Sequence, residues 1–153
     1  MLGVLREVDQ ESAATAPPVG VDDLDTLLGG ARASGLTVQI TVEGERRRLP
    51  PAMGLTLYRI VQESLSNAAS HAARSQVAVR LRYEREAVDL SVRDDGGDTS
   101  GRPDLDGLRS GRGQGLLGMR ERVAVFGGTL DAGPLADGGF GVHARLPVRG
   151  EPA

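Results

Sequence analysis

The chain has 153 residues, a formal charge of -3, 39% hydrophobic and 25% charged residues, the balance of one ordinary globular domain and not of a disordered tail. That charge gives no general attraction to nucleic acid or anionic lipid. The 18 Lys and Arg residues are all Arg, and the chain has no Cys and only two His, which excludes a Walker lysine, a Schiff-base lysine, thiol catalysis and a cysteine- or histidine-rich metal site.

Residues 1–20 show weak patterning and end in Ala16-Pro17-Pro18-Val19-Gly20, a tail or linker with at most a short ordered piece at Leu2–Val8. No charged leader precedes an apolar stretch there, and no window of the chain approaches the roughly 18 apolar residues of a membrane span, so a cytoplasmic location is expected. The domain itself is expected over 21–148, with 149–153 as a C-terminal tail. Its first helix is predicted with Asp22 as N-cap, Asp23 and Asp25 in the first turn, Leu24, Leu27, Leu28 and Ala31 on one face, and a stop at Gly35. Gly29-Gly30 works against it, at about 1 kcal/mol per Gly.

Leu36, Val38, Ile40 and Val42 then alternate with Thr37, Gln39 and Thr41, the pattern of a half-buried strand turned by Glu43-Gly44. Arg46-Arg47-Arg48 reads as a solvated loop or strand end. Pro50-Pro51 opens the strongest helix, about Ala52 to Ala73, whose Leu57, Ile60, Val61, Leu65, Ala68 and Ala72 make one buried stripe. Two more alternating strands follow, Val77, Val79, Leu81 and Tyr83 in one, Val88, Leu90 and Val92 in the next, joined by Glu84–Ala87. Between Asp94 and Gly115 almost every residue is Asp, Gly, Arg or Ser, and a structureless run of about twenty residues points to a functional lid or mobile loop. A further helix is predicted from Leu116 to Phe126, ended by Gly127-Gly128, before Leu130 and Phe140–Leu146 close the fold as a hairpin around Gly133–Gly139. This order implies an α/β (α+β) two-layer sandwich, with helices on one face of a mixed, mostly antiparallel sheet.

Three constellations carry chemistry. Glu63, Asn67 and His71 are spaced i, i+4, i+8 on the long helix and share a face away from its apolar stripe. Asn is a poor helix former, so its place in line with a carboxylate and an imidazole is either a solvated face or a magnesium–nucleotide site, for which an amide and a carboxylate oxygen are suitable hard donors. Val92-Arg93-Asp94-Asp95-Gly96-Gly97 leaves a strand either as a plain Asp-Gly turn or as a site where an Asp accepts from an exocyclic amine and a Gly lets a flat ring approach. Gly111-Arg112-Gly113-Gln114-Gly115-Leu116-Leu117-Gly118 lies at a helix entry, where backbone N–H groups can face phosphates. It is no dinucleotide fingerprint, because it follows a loop and no β-α-β unit surrounds it.

In this order the three resemble known boxes. Tyr58 to Ala72 resembles the N box of sensor histidine kinases of the nitrate-sensor and membrane-fluidity-sensor type, Asp94-Asp95-Gly96 their G1 box, and Gly113 to Arg122 their G2 box. The resemblance covers about Leu36 to Pro147 and implies the Bergerat ATP-binding fold with ATP and Mg2+ as ligands. It implies that Asn67, with Glu63, holds the Mg2+ bridging the phosphates. Glu63 is then the general base beside the γ-phosphate and His71 lies near the phosphates. Asp94 accepts from the adenine amine while Gly96 lets the base approach. Gly113, Gly115, Leu116 and Gly118 serve as lid hinge and phosphate cradle. The implied activity is transfer of the γ-phosphoryl group to a histidine on a separate dimerisation domain, with a response regulator downstream and a parent sensor that is membrane-anchored in some relatives.

The sequence departs from that pattern at Ser70, where many relatives carry a cation that Arg74, Arg109 or Arg112 would have to replace, at Phe140, where relatives often carry Thr, and at Gly97-Asp98. Neither His71 nor His143 is followed by an acidic residue, as an acceptor histidine would be, so residues 1–20 are read as a tail or as what remains of a dimerisation hairpin. His143 alternates with Val142 and Ala144 as a strand residue of the surface or packing kind. A serine kinase of the anti-sigma-factor type on the same fold, and a non-catalytic nucleotide-binding scaffold, are the alternatives left open.

Overall fold

A computed structural model describes residues 19–71, 75–96 and 113–148. The first helix begins differently from the expected Asp22 cap. A 3-10 turn, Val21–Asp23, precedes α1, Leu24–Ala33, and it is the Asp23 carboxylate that accepts the Gly20 N–H at 2.8 Å. Gly20 supplies an extended residue ahead of the turn, which moves the capping role one residue along. α1 runs through Gly29 and Gly30 and stops, as the sequence requires, at Gly35 with φ +106°. Leu24 and Leu28 are buried, so packing against the domain outweighs the glycine cost.

β1, Thr37–Glu43, is an edge strand paired in parallel with β2, Gln76–Tyr83. A parallel pair cannot be joined by a tight turn, and α2, Pro51–His71, makes the crossover. Its predicted stripe is buried at Leu57, Ile60, Val61, Leu65 and Ala68; Ala72 and the predicted last turn lie outside the described residues. Val42, read as an inward residue of β1, is 37% exposed because the helices do not cover that end of an edge strand.

β3, Ala87–Asp94, β4, Thr129–Pro134, and β5, Phe140–Pro147, complete a sheet of order β1-β2-β3-β5-β4 in which every pair but β1–β2 is antiparallel. Ala87 belongs to β3 and not to the turn, since its carbonyl accepts the Glu84 N–H at 2.8 Å. Register fixes what each face carries. Val77, Val79, Leu81, Leu90, Val92, Val142, Ala144 and Leu146 point to the helix layer and are buried. The other face keeps its polar residues in water, where Arg80 meets Glu43 at 2.8 Å and Arg145 meets Glu84 at 2.7 Å. Those carboxylates hold both guanidiniums more firmly protonated than usual. Of the arginine run, Arg47 ties the loop after β1 to the β2–β3 turn by donating to the Arg85 carbonyl at 2.7 Å.

The third helix, α3, is Gly113–Val125, three residues earlier than the predicted start at Leu116. Met119 and Val123 anchor it in the core, and a helix end held by tertiary packing extends through glycines whose propensity opposes it. Most of the expected long loop, 97–112, lies outside the described residues. Among the described residues no helix is long and apolar enough to cross a membrane.

A Cβ placed on Gly29 or Gly30 meets nothing within 4 Å. Gly29→Ala and Gly30→Ala should therefore each stabilise the domain by about 0.5–1 kcal/mol, seen as a higher urea midpoint at an unchanged m-value.

Candidate functional site

Polar residues inside a helix have few ways to satisfy themselves. On α2 the short ones do so locally: Thr56 Oγ1 donates to the Ala52 carbonyl at 2.9 Å and Ser64 Oγ to the Ile60 carbonyl at 2.7 Å. Asn67 does not. Its Nδ2 is buried and makes no hydrogen bond among the described residues, a condition shared only with Ser75 Oγ, just ahead of β2. Glu63 and Asn67 are half-buried one turn apart, and His71 is the last helical residue, its side chain outside the described set. Nothing in the sequence singled out Ser75, because a lone Ser in a turn carries no pattern.

The two aspartates at the end of β3 divide their work. Asp95 closes the β2–β3 pair, its N–H donating to the Gln76 carbonyl at 3.1 Å and its Oδ1 accepting the Gln76 N–H at 2.9 Å. Asp94 shares the parity of Val88, Leu90 and Val92, so its side chain lies on the helix-bearing face, and its Oδ1 accepts the Gly96 N–H at 2.9 Å. Asp94 stands opposite Val77, at the start of β2, and α2 reaches that same end of the sheet through the short link to β2. Asn67, one turn before the end of α2, and Asp94 are thus at one end of one face.

The β4–β5 turn presses on this strand end. A Cβ on Gly139 would lie 1.8 Å from the Asp94 carbonyl oxygen, and one on Gly96, at φ +82°, would lie 2.6 Å from the Gly138 carbonyl oxygen. Phe140 pairs with Asp94 in the sheet and is 7% exposed, so the ring and the carboxylate are neighbours on the inner face. The sequence had marked Gly138-Gly139 only as a turn; their close approach to Asp94 is a tertiary fact.

α3 supplies the remaining wall. Gly113, Gly115, Leu116 and Gly118 all fall in its first two turns, not in a loop ahead of it. Gly115 abuts α2: a Cβ there would lie 2.2 Å from Glu63 Oε1. Gly118 faces open space, and Leu116 packs against the core's edge. Glu63, Asn67, Asp94, Gly96 and Gly115 are therefore gathered around one end of the helix-bearing face. Ser70 is exposed on α2.

Among the described residues no three His, Cys, Asp or Glu side chains form a metal cage. An amide and a carboxylate one turn apart do match the few protein ligands Mg2+ takes when phosphates and water complete its shell. The unpartnered Asn67 amide fits such a role, since rotation about its last torsion presents Oδ1 where Nδ2 now lies. His143 is exposed on the opposite face in contact with Asp89, as a surface strand residue. A shallow groove of about 440 Å3 also lies on that face, lined by Ser91, Arg93, Asp131, Gly133, Gly141 and His143, and shares none of the gathered residues.

The sequence profile of the histidine kinase-, DNA gyrase B-, and HSP90-like ATPases matches residues 53–150. The chain is 32% identical to the sensor histidine kinase LnrJ of Bacillus subtilis over 115 residues, 75% of this chain and 27% of that protein. It is 29% identical to the B. subtilis sensor histidine kinase YxjM over 157 residues, 97% of this chain and 37% of that protein. It therefore spans between a quarter and two fifths of the length of these relatives. Among solved structures, the mycobacterial sensor histidine kinase MprB superposes with a TM-score of 0.59 at 26% identity, covering 82% of this chain and 92% of that one.

Overlap with backbone cannot be relieved by a rotamer change. Gly139→Ala should cost about 1–3 kcal/mol in urea unfolding, as overpacking does, whereas Gly133→Ala, whose Cβ meets nothing within 4 Å, should change stability by less than about 0.5 kcal/mol.

Proposed function

The chain belongs to the histidine kinase-, DNA gyrase B- and HSP90-like ATPase family, as an ATP-binding catalytic domain of the sensor-histidine-kinase kind, and from that premise we propose that it passes the γ-phosphoryl group of ATP to a histidine on a separate dimerisation domain, from which a response regulator receives it. The observation that carries the reading is Asn67 Nδ2, buried and without a partner among the described residues, one turn from Glu63 and at the same end of the helix-bearing face as Asp94. A buried amide without a partner is destabilising by about 1–3 kcal/mol, and a ligand explains its retention.

In this reading Asp94 accepts the adenine amine, and Gly96, held at a positive φ against the hairpin, lets the flat base lie close to the backbone. Asn67 and Glu63 would hold Mg2+, which when bound neutralises charge on the phosphates. In this reading Gly113, Gly115 and Leu116 offer free backbone N–H groups to the phosphates at the start of α3, where the helix dipole favours negative charge, Gly118 keeps the next turn of that helix bare, and His71 would lie beside the phosphates. In the reaction the acceptor imidazole nitrogen bonds to the γ-phosphorus, the bond to the β–γ bridging oxygen breaks, and ADP leaves. Glu63 takes the proton released from the imidazole. No covalent protein nucleophile is required, because phosphoryl transfer rests mainly on positioning and charge stabilisation. The cytoplasm is the compartment where such a domain meets ATP and a response regulator.

At 100 times its dissociation constant, Mg-ATP should stabilise the chain by about 2.7 kcal/mol in a thermal-shift titration, and Asn67→Ala and Asp94→Asn should lose that gain while folding normally without nucleotide. An Asn67→Ala protein stabilised as much as the parent sequence would sink the reading. Incubated alone with radiolabelled ATP, the chain should acquire no acid-labile label, because His71 and His143 are each followed by Ala.

A further inference from the structure

Glycine is the poorest helix former short of proline, yet Gly115 stands in the first turn of α3 with its Cα facing α2. A Cβ there would lie 2.2 Å from Oε1, 2.8 Å from Cδ and 3.2 Å from Cγ of Glu63. Four other helical glycines, Gly29, Gly30, Gly54 and Gly118, have no side chain among the nearest atoms within 4 Å of the same position. The Glu63 carboxylate therefore occupies the volume that a side chain at 115 would fill. It does so against a helical first turn, whose N–H groups lack intrahelical acceptors and whose dipole favours an anion.

We propose that Gly115 is a positioning residue for Glu63: the bare backbone at 115 seats the carboxylate, and α3 sets where that carboxylate stands. This deepens the reading of Glu63 as the group that takes the acceptor's proton, and rests on it. α3 is held to the core by Met119 and Val123, both buried, and α2 by its apolar stripe, so neither helix yields easily to a new methyl group. The flexible member of the contact is Glu63, which has to rotate away. A residue that merely cradled phosphates would act independently of Glu63, and the two roles separate in a double-mutant cycle.

The cycle compares the parent sequence, Gly115→Ala, Glu63→Gln and the double variant in phosphoryl transfer to a histidine-bearing dimerisation domain supplied in trans, at saturating Mg-ATP. Glu63→Gln should slow transfer by about 100-fold or more, the range of general-base loss, and Gly115→Ala by at least about 10-fold. The double variant should be no slower than Glu63→Gln, because a base already lost cannot be displaced again. Losses that multiply would overturn the proposal and leave Gly115 acting on its own. A second measurement uses no nucleotide. Gly115→Ala should raise the thermal midpoint more in a Glu63→Ala background than in the parent sequence, where the methyl group meets the carboxylate; equal shifts would also overturn it. Should the parent sequence transfer nothing at all, the functional reading fails, and the midpoint comparison alone decides whether Gly115 seats Glu63.

Discussion

Water is excluded from the Asn67 amide nitrogen, and no group among the described residues replaces it. The cost, about 1–3 kcal/mol, is a sizeable share of the 5–15 kcal/mol that holds an ordinary domain together. Thr56 and Ser64 on the same helix show what a residue without a task does, bonding back to the preceding turn. Asn67 Nδ2 makes no such bond, and it lies near the C-terminal end of α2, the end that the architecture sets beside the strand end carrying Asp94. α2 crosses the sheet because β1 and β2 are parallel, and that crossover delivers the C-terminal end of α2 to the start of β2. The same register sets Asp94 opposite Val77.

The sheet separates structural from chemical work by parity. Every second residue of β2, β3 and β5 fills the core, and the aliphatic side chains do this almost without aromatics. Asp94 takes an inward position in this alternation at the last residue of β3, where the apolar cover ends and a carboxylate can be half-buried. Asp95, one residue on, closes the strand pair. Outward positions carry arginines and carboxylates whose exposed pairs add little stability.

What the sequence made legible was what repeats. The alternation in 77–83 and 88–92 and the stripe from Leu57 to Ala68 identified two strands and the long helix, and Asn67 stood out because its residue type disagrees with its position. What it hid depends on residues far apart in the chain. The start of α3 was obscured because glycines read as loop, and what holds the helix is the packing of Met119 and Val123 into a core built by distant elements. The Asp22 cap failed because Gly20 and Asp23 made a tighter local bond. The parity of Val88, Leu90 and Val92 already set Asp94 inward, whereas the bonds by which Asp95 closes the strand pair depend on its register with Gln76, which no local pattern gives.

The glycines of this fold then acquire separate reasons. Gly139 and Gly96 are bare because backbone passes within overlap distance of where a side chain would begin, an unyielding constraint that fixes the Asp94 strand end to the β4–β5 turn. Gly115 is bare against a side chain, which can move, so folding alone does not demand a glycine there. An alanine would favour the helix, and the chain forgoes it at a helical glycine that lies against an ionisable group. Stability given up where a carboxylate stands one turn from an amide nitrogen with no partner among the described residues is the sign of a site shaped for a ligand and not for its own packing.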